Sequence, residues 1–112
     1  GKRIVDDKAF EELFVGSEAN AAYGLTWWLP RRTASDDPVT ALFDLARNPE
    51  AVPQDMVIAS GAGEQRLYVI PSLGMTVVRQ GKLNLANPTA SRQRWSDVDF
   101  LATLGLASPK SK

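Results

Sequence analysis

The chain has 112 residues, which is enough for one small domain with a modest hydrophobic core. Its 13 basic and 13 acidic residues cancel, so no global field would attract nucleic acid or an anionic membrane. It contains neither cysteine nor histidine, which excludes disulfides, Cys/His metal sites and a histidine general base within the chain. We therefore expect no metal, no cofactor, no nucleic-acid partner and no membrane partner.

No signal peptide or membrane-spanning segment is visible, because the longest apolar runs are short and are interrupted by charge or proline. The absence of cysteine does not indicate a compartment, and the cytoplasm and the periplasm of a bacterium both stay open. Gly1 stands where a natural start would have Met. We therefore expect either a processed chain or a leading glycine left by a tag, and an export signal could have stood upstream.

The first half of the chain predicts two helices and an aromatic strand. Residues 5–14 predict a helix with Asp6 as its N-cap and with Gly16 ending it. Residues 23–29 predict a strand covered on both sides, because aromatic and β-branched residues dominate the segment and Pro30 stops it. Residues 37–48 predict a second helix, since an acidic cap is followed by proline at the first helical position.

The second half predicts three strands and a helix. Residues 56–59 predict a strand, followed by a glycine-rich turn. Residues 67–70 predict a second strand in which Tyr68 and Ile70 face one way and Leu67 and Val69 the other. Residues 71–74 predict a hairpin connection to an antiparallel strand over residues 75–79. The last helix has Ser96 as its cap and Gly105 at its end, with Trp95 and Phe100 packed across the cap. This pattern predicts an α+β fold, with an antiparallel sheet flanked by N- and C-terminal helices.

Three segments resemble the β-lactamase-related serine hydrolases, the family of class C β-lactamases, D-Ala-D-Ala peptidases (penicillin-binding proteins) and carboxylesterases. Residues 23–28, YGLTWW, look like the family's Tyr-Gly-x-Gly-Trp strand, with Thr26 where glycine is usual. Residues 60–65, SGAGEQ, with the YVIP and VV segments that follow, look like its Gly-x-Gly-x-Gln…Pro…Val-Val segment. Residues 95–101, WSDVDFL, look like its closing helix.

The resemblance implies the C-terminal part of a β-lactamase/transpeptidase-like fold. Residues 1–107 would then be one partial domain, and residues 108–112 a flexible tail. Family members combine a Ser-x-x-Lys motif, a Tyr-x-Asn-type motif and a Lys-Thr-Gly or His-x-Gly strand. Neither of the first two motifs occurs in this sequence. The third maps on Ala59-Ser60-Gly61, with Ala59 where a cation or histidine is common, which fits the esterase-like branches better than an efficient β-lactamase.

The resemblance also assigns site residues. In the intact parent, the backbone N–H of Ala62 would be an oxyanion-hole donor, and Ser60, Gly61 and Gly63 would contact the substrate. Judged from spacing alone, Gly61 and Gly63 indicate no more than a bulge or tight turn between strands. Both interpretations stay open at this point.

Other conspicuous residues favour structural interpretations. Trp27 and Trp28 are typical of a core strand, and Asp36-Asp37 of a helix cap. Glu64 is expected to be a solvated surface carboxylate, and Arg31-Arg32 an ordinary surface pair.

The sequence thus predicts the C-terminal fragment of a serine hydrolase that acts in the intact protein on an ester or amide through an acyl-enzyme. The chain alone is expected to be inactive, because the nucleophile is absent. Its expected partner is the missing N-terminal part of the same domain. The alternative is a non-catalytic structural or binding module. In either case, exposed strand edges predict self-association, with a homodimer formed by strand exchange as one form.

Overall fold

The computed structural model describes residues 2–30, 44–47, 51–82, 86 and 95–108. These residues form an α+β fold, as predicted. Its regular elements are helix α1 (Asp7–Glu12), strands β1 (Val57–Gly61), β2 (Gln65–Ile70) and β3 (Met75–Arg79), and helix α2 (Asp97–Thr103). The three strands form one antiparallel sheet in the order β1-β2-β3. In the described part of the chain, no helix is long and apolar enough to cross a membrane.

Both connections within the sheet are tight. Strands β1 and β2 are joined by residues 62–64, and the pair Gly61 and Gln65 closes this turn. A short 3-10 helix, Pro71–Leu73, and Gly74 at φ 56° join β2 to β3. The predicted hairpin connection over residues 71–74 is therefore confirmed, and Gly74 supplies its left-handed residue.

One face of the sheet carries the hydrophobic core. Along β2, Tyr68 and Ile70 are fully buried whereas Leu67 and Val69 are only half-buried, which confirms the predicted alternation. The inward face of the sheet packs with α2 and with neighbouring segments. The buried cluster consists of Leu45, Val52, Met56, Ile58, Tyr68, Ile70, Val98, Leu101 and Leu106.

Helix α2 ends as the sequence predicted. Gly105 has φ 70°, and its N–H donates to the carbonyl of Ala102 at 3.0 Å. The N–H of Leu106 donates to the carbonyl of Leu101 at 2.9 Å, and both leucines are buried in the core cluster. These two bonds and the apolar contact form a Schellman motif, which requires a residue that tolerates positive φ.

The start of α2 has two caps. The hydroxyl of Ser96 accepts from the N–H of Asp99 at 3.0 Å, as predicted. The carboxylate of Asp44, in a 3-10 helix over Asp44–Arg47, accepts from the N–H groups of Asp97 at 3.0 Å and Val98 at 3.3 Å. The same carboxylate accepts from the Ser96 hydroxyl at 2.5 Å. A segment more than 50 residues away thus fixes the first turn of α2.

The predicted strand over residues 23–29 is wrong. Tyr23 and Trp28 form an isolated bridge across a bend, in which the Gly24 N–H donates to the Trp27 carbonyl at 2.8 Å. Thr26 takes a left-handed φ of 70°, which a continuous strand does not permit. The aromatic residues pack across the bend, with the Tyr23 and Trp28 ring centroids 4.5 Å apart.

Trp28 bonds this segment to the sheet. Its N–H donates to the Ile58 carbonyl at 2.8 Å, and it accepts from the Ile58 N–H at 3.0 Å. The Trp28 side chain is half-buried against the core, as predicted for a core tryptophan. Trp27 is half-buried as well and meets the Phe14 ring edge-on at 5.9 Å.

Helix α1 has the predicted cap but is shorter than predicted. The Asp6 carboxylate accepts from the N–H groups of Lys8 at 3.0 Å and Ala9 at 3.3 Å. The helix ends at Glu12 and does not continue towards Gly16. It contains no buried residue, so little tertiary packing stabilises a longer helix.

Several predictions fall on other parts of the chain. The predicted helix over residues 37–48 is described only at Asp44–Arg47. Asp36-Asp37 and Arg31-Arg32 lie outside the described residues, as does the tail after Ser108. Ser108 itself donates its N–H to the Ala51 carbonyl at 2.9 Å.

Candidate functional site

The four predicted site residues lie at the end of β1 and in the turn that follows. Ser60 and Gly61 are the last two residues of the strand, and Ala62 and Gly63 begin the turn to β2. Ser60, Gly61 and Ala62 are exposed, and Gly63 is half-buried. They form one short accessible strip, which we call the turn strip (residues 60–63).

The backbone direction of β1 follows from its neighbours. Ile58 bonds through both its N–H and its carbonyl to Trp28, on the side of β1 away from β2. Alternate residues of an antiparallel strand direct these groups to the same edge. The N–H and carbonyl of Ser60 therefore point to the outer edge, beyond Trp28. Ala62 is the first residue of the turn, directly after the end of β1.

The conformation of the turn favours a glycine at one of the two glycine positions in the turn strip. Gly63 has φ 73°, so the simple tight-turn interpretation holds at this position. Gly61 lies within the strand, where a Cβ would come 3.1 Å from the Cβ of Gln65. Glu64 also has a positive φ, 60°, although it is not glycine. This conformation costs about 1–2 kcal/mol, so other contacts must hold Glu64 in place.

Those contacts belong to a buried ion cluster around Arg66. Its Nη2 donates to Glu64 Oε2 at 2.6 Å, and its Nε donates to Asp97 Oδ1 at 3.0 Å. The three side chains are 4%, 8% and 3% exposed for Arg66, Glu64 and Asp97. The prediction of a solvated Glu64 is therefore wrong. Arg66 lies on the inward face of β2, and pairing with this cation draws the carboxylate inside.

The same guanidinium reaches the turn strip. Arg66 Nη1 donates to Ser60 Oγ at 2.9 Å and to the Gln65 carbonyl at 3.1 Å. Ser60 and Arg66 are cross-strand partners, which explains the short path between them. The Ser60 hydroxyl was predicted to face the substrate, and in the structure it is hydrogen-bonded to this cation.

Tyr68 completes the inner side of the cluster. Its hydroxyl donates to the same Asp97 carboxylate oxygen that accepts from Arg66. Burial raises the pKa of Tyr68 well above its usual range, and the charge of Asp97 and this hydrogen bond raise it further. Tyr68 therefore stays a neutral donor at any physiological pH.

Arg79 and Gln65 hold the turn from the side of β3. The Arg79 guanidinium donates to the Glu64 carbonyl and stacks on Trp95 at 3.8 Å from the ring centre. The Gln65 side chain both donates to and accepts from the backbone of Gly81.

A shallow concavity of about 390 Å³ lies against the turn strip. Its lining includes Ser60, Gly61, Leu67, Val78 and Arg79. Ala59 also lines it, in the position where the resembled family commonly has a cation. Among the described residues, no group of three or more acidic side chains could hold a metal ion.

Sequence reasoning missed Arg66, Asp97 and Asp44. A usable signal existed for Arg66, because the alternation that buries Tyr68 and Ile70 also turns Arg66 inward. Nothing local in the sequence links Asp97 or Asp44 to the turn, since those contacts span about 30 to 50 residues.

Comparison with protein-family models, with curated proteins and with solved structures finds no match to this chain. The family resemblance therefore depends on the three sequence segments described above.

Proposed function

We propose that the chain is the C-terminal segment of a β-lactamase-related serine hydrolase that acts on an ester or amide through an acyl-enzyme. In this proposal the fold is the C-terminal part of the β-lactamase/transpeptidase-like fold. The nucleophile and its lysine belong to a part of the same domain outside this chain. That missing part is the partner of this segment.

The observation that supports the proposal most is the direction of the backbone at the turn strip. The outer edge of β1 presents the Ser60 backbone groups, and Ala62 begins the turn directly after this edge. Acyl transfer builds negative charge on a carbonyl oxygen, and fixed N–H donors at such an edge stabilise it. Gly61 beside them adds no side chain, so a substrate can approach the backbone closely.

The exposed outer face of the sheet is consistent with such a partner. Val78 is 59% exposed, and Ala59 and Leu67 are half-buried on the same face. In the proposed parent, these residues and the outer edge of β3 pack against other parts of the domain.

The proposal is tested by mapping acylation in the longer protein that contains this sequence. A fluorophosphonate probe is applied, the protein is digested, and the labelled peptide is sequenced. We expect the label on a serine outside residues 1–112, with lysine three residues further on. A label on a serine within residues 1–112 would contradict the proposal.

The isolated chain provides the matched control. We expect no ester turnover by the pure chain and no difference between wild type and Ser60→Ala. Turnover that disappears in Ser60→Ala would overturn the assignment of the nucleophile to the missing part.

A second candidate is a stand-alone structural or binding module. The shared core and the doubly capped α2 favour it, because the sheet and this helix already bury a common cluster. Absence of both probe labelling and a Ser-x-x-Lys motif from the longer protein would favour this candidate.

A further inference from the structure

The Arg66 cluster joins two parts of the chain that lie about 30 residues apart. Glu64 belongs to the turn between β1 and β2, and Asp97 to the first turn of α2. Arg66 contacts both carboxylates through separate nitrogens, at 2.6 Å and 3.0 Å. Because the three side chains are at most 8% exposed, water screens these contacts little.

The turn is held on both sides of its strained residue. The Glu64 side chain pairs with Arg66, and the Glu64 carbonyl accepts from Arg79. Its left-handed φ of 60° is therefore maintained by two cations rather than by glycine-like freedom. Ala62 lies two residues before Glu64, so the conformation at Glu64 restricts the direction of the Ala62 N–H.

The other end of the cluster is fixed as well. The Asp97 carboxylate accepts from both Arg66 and Tyr68, and the Asp97 N–H donates to Asp44 at 3.0 Å. The anchor for the turn is thus a capped helix whose next turns lie in the hydrophobic core. A rigid support of this kind is what a preorganised donor requires.

We propose that Arg66, held between Glu64 and Asp97, is a positioning residue that fixes the turn strip to helix α2 and so orients the Ala62 N–H. Its catalytic meaning rests on the proposed function, in which this N–H is an oxyanion donor. The structural role of Arg66 in fixing the turn strip concerns this chain alone, so it is tested by a measurement that requires no catalysis.

The test compares Asp97→Asn with Asp99→Asn by amide hydrogen exchange in the whole chain. Both variants remove one carboxylate from the first turn of α2, but Asp99 is exposed and Asp97 binds Arg66. The reporter is the Gly61–Gln65 pair, which closes the turn, and the internal reference is the Val57–Val69 pair at the other end of the same ladder.

We expect Asp97→Asn to accelerate exchange at the Gly61–Gln65 pair about tenfold, the factor expected when a charge-assisted hydrogen bond becomes a neutral one. The Val57–Val69 pair should change little, and Asp99→Asn should leave both pairs close to wild type. Equal acceleration at both ends of the ladder would show a general loss of stability and would overturn the positioning role. No acceleration at either end would overturn it as well.

Glu64→Gln provides a second route if Asp97→Asn does not fold. It weakens the cluster from the turn side, so it should produce the same local acceleration, together with a lower backbone order parameter at Ala62. Failure of the two proposals is distinguishable. Local acceleration of exchange without a labelled serine in the longer protein would support the positioning role of Arg66 and refute the hydrolase proposal. A labelled serine outside residues 1–112 without local acceleration would support the hydrolase proposal and refute the positioning role.

Discussion

Replacement of Arg66 by methionine should cost this chain a large share of its stability. The substitution leaves Glu64 and Asp97 buried without their cation, at 8% and 3% side-chain exposure. Removal of one partner from a buried ion pair costs about 3–5 kcal/mol. Domains of this size have a free energy of unfolding of about 5–15 kcal/mol, so the variant should lose about a fifth of it or more.

Urea unfolding followed by tryptophan fluorescence measures this loss. The control is Arg3→Met, because Arg3 pairs with Asp7 at the surface, where both side chains are at least 66% exposed. That change should cost about 0.5 kcal/mol or less. The triple variant Glu64→Gln/Arg66→Met/Asp97→Asn should recover at least half of the loss, because no unpaired charge stays buried.

Two results would refute this reasoning. One is an Arg66→Met variant that loses no more stability than Arg3→Met, which would mean that the cluster is solvated. The other is a triple variant no more stable than Arg66→Met, which would mean that shape and not charge determines the cost.

Three further predictions concern the core, the end of α2 and the edge strand β3. Tyr68→Phe should cost about 1.5–3 kcal/mol at neutral pH, because a buried hydrogen bond to a charged group is lost. The raised pKa of Tyr68 makes its contribution complete below pH 10 and weaker as the pH rises further, by about 1.4 kcal/mol per pH unit. Urea unfolding of Tyr68→Phe should lack this alkaline component, and identical alkaline losses in both proteins would contradict the assignment. Gly105→Ala should cost about 1–2 kcal/mol in the same assay through its left-handed φ alone, because an added Cβ would meet no atom within 4 Å; an unchanged stability would contradict this conformation. Light scattering at high concentration should detect association of the wild-type chain and less of it in Val78→Lys, since Val78 is 59% exposed on the edge strand β3. A monodisperse wild-type monomer would contradict that prediction.

The second half of the fold was predictable because its signals are local. The alternation along β2, the glycine at the end of the Pro71 turn, the Ser96 cap and the Gly105 terminus all lie within a few residues of the element they define. The structure confirms each of them.

The errors arise where distant contacts decide. Residues 23–29 have strand-like composition, yet the left-handed Thr26 and the packing of Tyr23 on Trp28 make the segment a bend. Glu64 has the composition of a surface residue, and its burial depends on Arg66 and on the remote Asp97. Composition indicates the secondary structure or exposure that a segment prefers. The bend and the burial of Glu64 depend instead on the residues that pack against them.

The position of the candidate site in the chain was predictable, but the contacts that hold it were not. The sequence predicted a strand over residues 56–59 followed by a glycine-rich turn. The structure has a strand and then a turn in this order, but β1 continues through Gly61 and the turn covers residues 62–64. The sequence did not indicate that the Ser60 hydroxyl accepts from Arg66 or that α2 anchors the turn. These contacts join elements that only the folded chain brings together.

The central claim is that the Ala62 N–H stabilises an oxyanion in the intact hydrolase. It is tested most directly by kcat/KM for ester hydrolysis in the longer protein, with Ala62→Pro compared against Ala62→Ser. Proline removes the N–H at a residue without a positive φ, and serine keeps it. We predict a loss of about 100- to 1,000-fold for proline and near wild-type activity for serine. Equal activity of the two variants would contradict the claim.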